Sequence, residues 1–466
     1  MRLVYRSGRM EGLLNSFRNP RRRWERPSRR AGLMALSTAW LALSAGPLAC
    51  AGPGPARTVL PTLEAADLDP EQGFEPLPTL RASRLLPAEL LSGPHHRVRE
   101  EVGTDGFLHL YEIDSEFGEL AAAGDDLLRI RVREIGALAE LEQMQKRDEF
   151  AKALSAGLKS PFVAAWNLLS DPVDSILGIP QSAWETLKKT ADITRGDRGE
   201  LEDSGFREFI GFESKKRELA YELGVDPYTS NRLLQKQLNR FAWAAYLGGL
   251  PFAVVPFQGD DPAEVRPAAG GADTRLREIL REYAPEDLRR LNRIELTVMG
   301  VPSETADALL AHPWFSPRHA TILVESLVAL DLTAGRADVV ATALQAGSEA
   351  DARFYQRAAQ LLRAHHENGE PLERVLGRRR AVMGLTEGGT LVVPLILDHA
   401  VWSRPTAAFA TAVQGDAAAV AAARTRLLVS GTLSDRARGE FGARGIEVLE
   451  NAFDALRPSQ LAGRQP

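Results

Sequence analysis

An arginine-rich run followed by an apolar segment occupies the N-terminus and limits which part of the chain can fold. The run covers Arg21 to Arg30, and the uncharged apolar segment covers Ala31 to Ala51. A positive region, an apolar stretch and small residues at its end are the three parts of a secretory signal. We therefore assign residues 1–51 to an export signal and expect the fold to be built from the remaining residues.

The end of this segment allows two forms of processing. Ala49-Cys50-Ala51 fits a small-x-small cleavage site, which would leave Gly52 at the mature N-terminus. The alternative is lipid attachment at Cys50, the only cysteine, although Pro47 stands where a lipidation motif prefers Leu. Both alternatives predict an exported bacterial protein, either in the periplasm or attached to the envelope.

The distribution of charge excludes one class of partner. The segment to Ala51 holds ten arginines and two glutamates, so the remaining residues carry 47 basic and 60 acidic side chains, a formal balance of −13. Nucleic-acid affinity depends on basic groups that neutralise phosphates. We therefore predict no nucleic-acid partner. A single cysteine also rules out a disulfide within the chain.

Composition divides the rest of the chain into a tether and two domains. Prolines recur through residues 52–94 with little apolar periodicity between them, which favours an extended, disordered tether. A second break, rich in aspartate, proline and glycine, covers residues 258–274. The predicted domains are therefore residues 95–257 and 275–460.

The first domain begins with a strand pattern that changes to a helix pattern. Arg97-Val98-Arg99 and the segment 107–111 flank a turn at Gly103-Thr104-Asp105-Gly106, and a third short strand is predicted at 117–121. Asp125 stands at the expected N-cap of a long amphipathic helix, whose apolar residues recur at three- and four-residue spacing up to Met144.

The second domain is predicted to be helical with a small α/β unit at its end. Ser316-Pro317 is typical of an N-cap followed by proline at the first helical position. Apolar runs near the C-terminus predict strands, with Ser434 as the N-cap of the helix between the last two. Pro394, inside the first run, favours an edge or bulged strand.

We therefore expect a mainly α fold. It comprises a helical domain with a short N-terminal β-hairpin or meander, then a helical domain that ends in a small strand-helix-strand α/β unit.

Two motifs in the first domain stand out by their local sequence. One runs from Pro161 through Asp171-Pro172 and Asp174, and the other is Leu223–Asn231, which contains Asp226-Pro227. The Asp-Pro pairs predict helix starts, because proline favours the first turn and an acidic group suits the positive helix end. The alternative role for these aspartates is that of metal ligands or general acids. The pair of motifs resembles exported bacterial proteins of no known activity, a resemblance that implies no fold, ligand or catalytic residue.

An uncharged segment of seventeen residues, Phe241 to Phe257, permits two interpretations. The first is a helix that ends at Gly248 and continues as a buried connection, because glycine and proline interrupt the run. The second is an interfacial membrane contact through Trp243, Tyr246 and Phe252.

Motifs that carry known chemistry are absent, and no cofactor or metal is predicted. The chain has no HExxH zinc motif, no phosphate-binding loop, no GxSxG nucleophile elbow and no dinucleotide fingerprint. If the C-terminal strands are parallel, a ligand is expected beyond their carboxyl ends, near Asp398-His399 and Ser430-Gly431-Thr432. Asp398, His399, Ser430 and Thr432 are therefore the candidate catalytic residues. A composite metal site of His312, His319, His365 and Asp398 is a further alternative.

These observations favour a non-enzymatic envelope protein that binds another envelope protein or supports an envelope structure. One alternative is an envelope hydrolase with its site at the C-terminal strand ends. Another is a protein that associates with the membrane through the apolar segment 241–257. The sequence leaves the oligomeric state open.

Overall fold

The computed structural model describes residues 73–146, 148, 150, 200–248, 271–368 and 370–457. The export segment 1–51, including Cys50, lies outside these residues, as do Asp171, Asp174 and Phe252. Residues 52–72 of the expected tether also lie outside them, whereas residues 80–93 hold short strands and helices.

The structure holds more strand than a mainly α fold would. Helices account for 53% of the structure and strands for 20%. The strands build a six-stranded antiparallel sheet and a five-stranded mixed sheet. The expectation of a mainly α fold, with only a hairpin or meander and a small terminal α/β unit, is therefore wrong.

The N-terminal sheet surrounds one central strand. Its strands are β1 (Leu80–Arg81), β2 (Ser92–Gly93), β3 (His96–Val98), β4 (Glu101–Thr104), β5 (His109–Ser115) and β6 (Gly118–Ala123). Two single-turn helices, α1 (Ala82–Leu85) and α2 (Ala88–Leu91), lie between β1 and β2. Strand β5 pairs with β3, β4 and β6. Its residues His109, Tyr111 and Ile113 are buried and alternate with exposed ones, as a two-residue period requires. Gly103 and Thr104 belong to β4, so the expected turn is shifted to residues 105–108.

The long helix α3 (Asp125–Gln145) follows β6 and packs against this sheet. Leu128 and Ile135 contribute to the same buried cluster as Tyr111. The predicted N-cap is displaced by one residue: Gly124 caps the helix, and Asp125 is its first residue. Gly124 has φ 94°, a conformation that glycine adopts without strain.

Eight helices follow α3 in the described part of the chain before the C-terminal sheet, and the sequence predicted how two of them begin. They are α4 (Glu200–Glu222), α5 (Arg232–Gly248), α6 (Gly271–Glu282), α7 (Pro285–Val298), α8 (Ser303–Leu310), α9 (Pro317–Val328), α10 (Arg336–Ala343) and α11 (Glu349–Asn368). The predicted cap of α9 is confirmed, since the Ser316 hydroxyl accepts from the His319 amide at 3.2 Å. The predicted helix start at Asp226-Pro227 is wrong, because α5 begins at Arg232. There the side-chain oxygen of Asn231 accepts the amides of the second and third helical residues.

The C-terminal sheet combines a hairpin with three parallel strands. Its strands, in spatial order, are β13 (Ile446–Leu449), β11 (Arg424–Val429), β9 (Thr390–Leu395), β8 (Ala381–Thr386) and β7 (Leu372–Arg378). Strand β11 runs parallel to β9 and to β13, whereas β8 is antiparallel to both β7 and β9.

The helices α12 (Arg404–Ala419) and α13 (Asp435–Ala443) connect the parallel strands. Two short strands, β10 (His399–Ala400) and β12 (Thr432–Leu433), pair in parallel beyond β9 and β11, and α14 (Ala452–Ala455) follows β13. The predicted cap of α13 by Ser434 is confirmed.

Pro394 does not mark an edge strand, contrary to the prediction. Strand β9 is the third of five, and Pro394 pairs in register with Leu428 of β11. On the other side, pairing of β9 with β8 covers only Leu391 and Val392. The missing amide hydrogen therefore removes no bond between β9 and β8, so proline is tolerated inside the sheet.

Both faces of the C-terminal sheet are covered. Val392 and Leu428 point into a cluster that includes residues of α9, α10 and α11. Val393 and Leu427 point into a second cluster with residues of α12 and α13. A strand buried on both faces loses the alternation of apolar and polar residues. Phe107, from the turn before β5, also belongs to the second cluster and so brings the N-terminal sheet against the C-terminal one.

Candidate functional site at the ends of the parallel strands

A cavity of about 480 Å³ lies beyond the carboxyl ends of the three parallel strands. The segments that follow β9, β11 and β13 contribute one wall, and the start of β5 with the first turn of α3 contributes another. Ligand sites of open α/β sheets are found at this edge. The residues around the cavity are Pro78, Leu80, Leu85, His109, Asp125, Asp126, Arg129, Arg357, Leu397, Asp398, His399, Ser430, Gly431, Thr432, Asn451, Phe453 and Asp454.

Asp398 holds the two walls together. Its carboxylate accepts the backbone amide of His109 at 2.8 Å and that of Asp125 at 3.1 Å. The amides of Asp398 and His399 both donate to the carbonyl of Phe107, at 2.9 and 3.1 Å. Asp125 is the first residue of α3, so Asp398 accepts one of the amides at the start of the helix that have no partner within it. This acceptor lies 273 residues from the amide of Asp125 in sequence.

His109 and Asp125 form a hydrogen-bonded pair beside this carboxylate. The Nδ1 atom of His109 lies 2.9 Å from Asp125 Oδ1 and 3.9 Å from Asp398 Oδ2. The Tyr111 hydroxyl donates to Asp125 Oδ1 at 2.7 Å. One ligand atom each from His109, Asp125 and Asp398 lie within 4.8 Å of one another, so the three side chains together could hold a metal ion.

The proximity of these groups changes their pKa values. Burial, and then the negative charge of Asp125, raise the pKa of Asp398 to about 7, although the two amide donors oppose the change. Burial acts to lower the pKa of His109, but the hydrogen bond to Asp125 and the charge of Asp398 outweigh it, so the pKa is raised. Burial acts to raise the pKa of Asp125, but the bonds from His109 and Tyr111 outweigh it, so the pKa is lowered.

The candidate catalytic residues at the strand ends make two kinds of hydrogen bond, to another side chain or to the backbone. His399 and Thr432 form a side-chain pair, with Nδ1 and Oγ1 2.9 Å apart. Ser430 is occupied by the backbone, since its hydroxyl donates to the Leu397 carbonyl at 2.7 Å and accepts the Leu397 amide at 2.8 Å. Ser430 and His399 therefore do not form a hydrogen-bonded pair of nucleophile and base. All four predicted residues nevertheless lie around the same cavity.

A pair of arginines contributes positive charge to the cavity. Arg357 is buried, lies 2.8 Å from Asp126 and stacks over the Phe453 ring at 3.9 Å. Arg129 lies 3.5 Å from the same aspartate. Asp126 thus neutralises part of the charge of both arginines and fixes their position.

Sequence reasoning missed His109 and assigned Asp125 only to a helix cap. The contact between β5 and the loop after β9 joins residues 289 apart, and no local pattern reports it. One signal was present: His109 shares the two-residue period of Phe107 and Tyr111 and so belongs to the buried face of its strand.

The other predicted metal ligands do not join this cluster. Among the described residues, Asp398 groups with His109 and Asp125 rather than with His312, His319 and His365. The carboxylate of Asp226 accepts the Tyr228 amide at 2.8 Å and so stabilises a turn.

The apolar segment is described as far as Gly248. Trp243 is buried and stacks on Phe212, with ring centroids 4.4 Å apart, and Tyr246 is half-buried. Within the described part of the chain, no helix combines the length and the apolar character needed to cross a membrane.

Comparisons with protein-family models, with curated proteins and with solved structures found no match for this chain. The resemblance to exported bacterial proteins therefore stays a prediction, and the site must be interpreted from its own geometry.

Proposed function

We propose that the protein is a hydrolase that acts on a small polar substrate in the cavity at the strand ends. The observation that supports this best is the convergence of ionisable and hydroxyl side chains from β5, α3 and the loops after β9 and β11 around one cavity. Concave sites with a few convergent polar groups are the usual location of ligand binding and catalysis.

His399 is the proposed general base, and Thr432 is the residue that positions it. In the tautomer in which His399 Nδ1–H donates to the Thr432 hydroxyl, Nε2 keeps a lone pair. That nitrogen takes a proton from water as the water oxygen bonds to the scissile carbonyl carbon. The proton then passes to the leaving oxygen or nitrogen as its bond to that carbon breaks, so the base is regenerated.

The size and lining of the cavity restrict the substrate. A volume of about 480 Å³ accommodates a small molecule or the end of a longer chain. The lining includes the carboxylates of Asp125 and Asp126 and the guanidinium groups of Arg129 and Arg357. This lining favours a substrate that carries polar or ionic groups.

The test is hydrolysis of chromogenic carboxylic esters and aryl amides by the purified full-length chain and its His399→Gln variant. A general base contributes about 10²–10⁴-fold, so kcat/KM of the variant should fall by at least ~100-fold. The matched control is His95→Gln, since His95 lies outside the cavity and pairs with Glu116 at 3.1 Å.

Unchanged hydrolysis in the control, together with the loss in the His399 variant, would support the proposal. Absence of turnover across the panel would overturn it and favour the expected non-enzymatic binding protein. Equal turnover in the wild-type protein and the His399 variant would also overturn it.

We also propose that the protein is exported, on the basis of the arginine-rich and apolar segments before Gly52. Fractionation of expressing bacteria, followed by the intact mass of the processed chain, tests this. A periplasmic or envelope-attached chain that begins at Gly52, or one that carries lipid on Cys50, agrees with export. An unprocessed cytoplasmic chain contradicts it.

A further inference from the structure

The cluster of His109, Asp125 and Asp398 has the donor set of a cation site. The three ligand atoms lie within 4.8 Å of one another and come from β5, from α3 and from the loop after β9. The His109 side chain is only 7% exposed, and its Nδ1 faces both carboxylates at 2.9 and 3.9 Å. A buried imidazole directed at two carboxylates presents one nitrogen and two oxygen donors to a common centre.

The charges around the cavity favour a cation at this centre. Four aspartates lie around the cavity, against two arginines. Asp126 pairs with Arg357 at 2.8 Å and with Arg129 at 3.5 Å, so both arginines lie beside a carboxylate already. Another of the four, Asp454, pairs with Arg457 at 3.1 Å.

Asp125 and Asp398 therefore share the imidazole of His109 as their nearest basic side chain. Two carboxylates beside one imidazole leave a net negative charge in a site that is mostly withdrawn from water. A dication between them would replace the repulsion with attraction.

Both carboxylates keep capacity for a metal bond. Each oxygen of Asp398 accepts one backbone amide, which leaves each a second lone pair and fixes the direction of the carboxylate. Asp125 accepts its two described side-chain bonds, from His109 and Tyr111, at Oδ1. The Asp125 side chain is 32% exposed, so an ion can reach it from the cavity.

We propose that His109, Asp125 and Asp398 bind one divalent transition-metal ion at the wall of the cavity. On binding, the proton on His109 Nδ1 and any proton on the Asp398 carboxyl leave to solvent. The freed lone pair of His109 then binds the ion in place of the hydrogen bond to Asp125. A set of one imidazole and two carboxylates suits Zn²⁺ or Mn²⁺ better than Mg²⁺ or Ca²⁺, which prefer oxygen ligands. Three protein ligands leave a coordination position open for water or substrate.

The surroundings of His109 also set the expected affinity. Its Nε2 atom has no hydrogen-bond partner among the described residues. Histidine ligands usually donate from their second nitrogen, and loss of that partner weakens binding by about 10–100-fold. We therefore expect a dissociation constant in the micromolar range, on the order of 10⁻⁶ M, rather than the nanomolar range.

The inference rests on the proposed function, because the ion would lie in the same cavity, but direct binding tests it separately. Full-length protein without a polyhistidine tag is stripped with a chelator and titrated with Zn²⁺ by calorimetry. We expect one site per chain, with affinity at least ~10-fold weaker in His109→Gln and in Asp125→Asn, since each removes a ligand. Both variants are compared by circular dichroism, so that a misfolded one is recognised.

Two matched controls remove the same chemical groups outside the cavity. Asp114→Asn and His95→Gln change exposed or half-buried residues of the N-terminal sheet region, which pair with Arg99 and Glu116. Both should bind Zn²⁺ like the wild-type protein. No saturable binding would overturn the inference, as would equal affinity in the wild-type protein and both folded ligand variants.

Chelation separates this inference from the hydrolase proposal. Zn²⁺ binding without hydrolysis supports the metal site and contradicts the enzyme. Hydrolysis by stripped protein that binds no Zn²⁺ supports the enzyme and contradicts the metal site.

Discussion

Removal of the Glu134 carboxylate should destabilise the protein strongly, because this buried group accepts three hydrogen bonds. Its side chain is 1% exposed and lies 2.8 Å from Arg131, whose side chain is 11% exposed. The other donors are Thr229 and Asn231, the latter at 3.0 Å. Glu134 thus attaches the motif Leu223–Asn231 to α3, whose first turn carries part of the cavity.

Glu134→Ala leaves the Arg131 guanidinium buried without its nearest counter-charge. Breaking a buried ion pair in this way costs about 3–5 kcal/mol, and we expect the free energy of unfolding to fall by that amount. Urea unfolding followed by tryptophan fluorescence and circular dichroism measures it. The control is Glu112→Ala, since Glu112 is 62% exposed and pairs with Arg99 at the surface. An exposed pair contributes about 0–1 kcal/mol.

A double variant separates the lost pair from lost packing. In Arg131→Met/Glu134→Leu no charge of this pair stays buried, and apolar replacement of a buried pair is often neutral. We expect it to recover at least half of the loss seen in Glu134→Ala. The reasoning is refuted if Glu134→Ala unfolds within ~1 kcal/mol of the Glu112→Ala control.

Two further predictions concern the loops around the cavity. A Cβ atom at Gly431 would lie 2.0 Å from the Asp398 carbonyl oxygen, so Gly431→Ala should displace this loop and weaken Zn²⁺ binding and hydrolysis at least ~10-fold, by loss of geometry. Gly439→Ala, where a Cβ atom meets nothing within 4 Å, is the control, and equal behaviour of the two variants in both assays would contradict the prediction. Ser434→Ala removes the cap of α13 and a 2.5 Å bond to Glu75, so urea unfolding should show a loss of about 1–2 kcal/mol. A loss below ~0.3 kcal/mol would show that neither bond stabilises the fold.

Local signals in the sequence were sufficient for the caps of α9 and α13 and for the place where the parallel strands end. Ser316 and Ser434 are N-caps, as their sequence context predicts. The residues after β9 and β11 meet beyond the ends of parallel strands, where Asp398 and Thr432 were expected to lie near a ligand. Both inferences depend on a few neighbouring residues, or on a general property of parallel sheets.

The amount of sheet was underestimated because the missed strands lack a clear two-residue period. Pairing of β7 with β8 shifts register between Leu372 and Arg374, which interrupts the alternation along β7. Strand β8 is buried on both faces over most of its length, so its apolar residues form a continuous run. Such a run cannot be separated from a buried helix by periodicity alone.

The cluster of His109, Asp125 and Asp398 could not be predicted because its residues are distant in sequence. The sequence predicts Asp125 as the cap of α3, but Asp125 is the first helical residue, and its amide donates to the distant Asp398. His109 looked like one more residue of a strand. The packing of Phe107 against the C-terminal sheet and the bonds of Asp398 to Phe107 and His109 bring the parts together.

X-ray diffraction from crystals grown with Zn²⁺, with data on both sides of the zinc absorption edge, tests the central claim most directly. The account predicts one strong anomalous peak between His109, Asp125 and Asp398, at about 2.0–2.2 Å from one atom of each. Zinc bound only at other residues, or a cluster that keeps its direct His109–Asp125 hydrogen bond at saturating Zn²⁺, would contradict it.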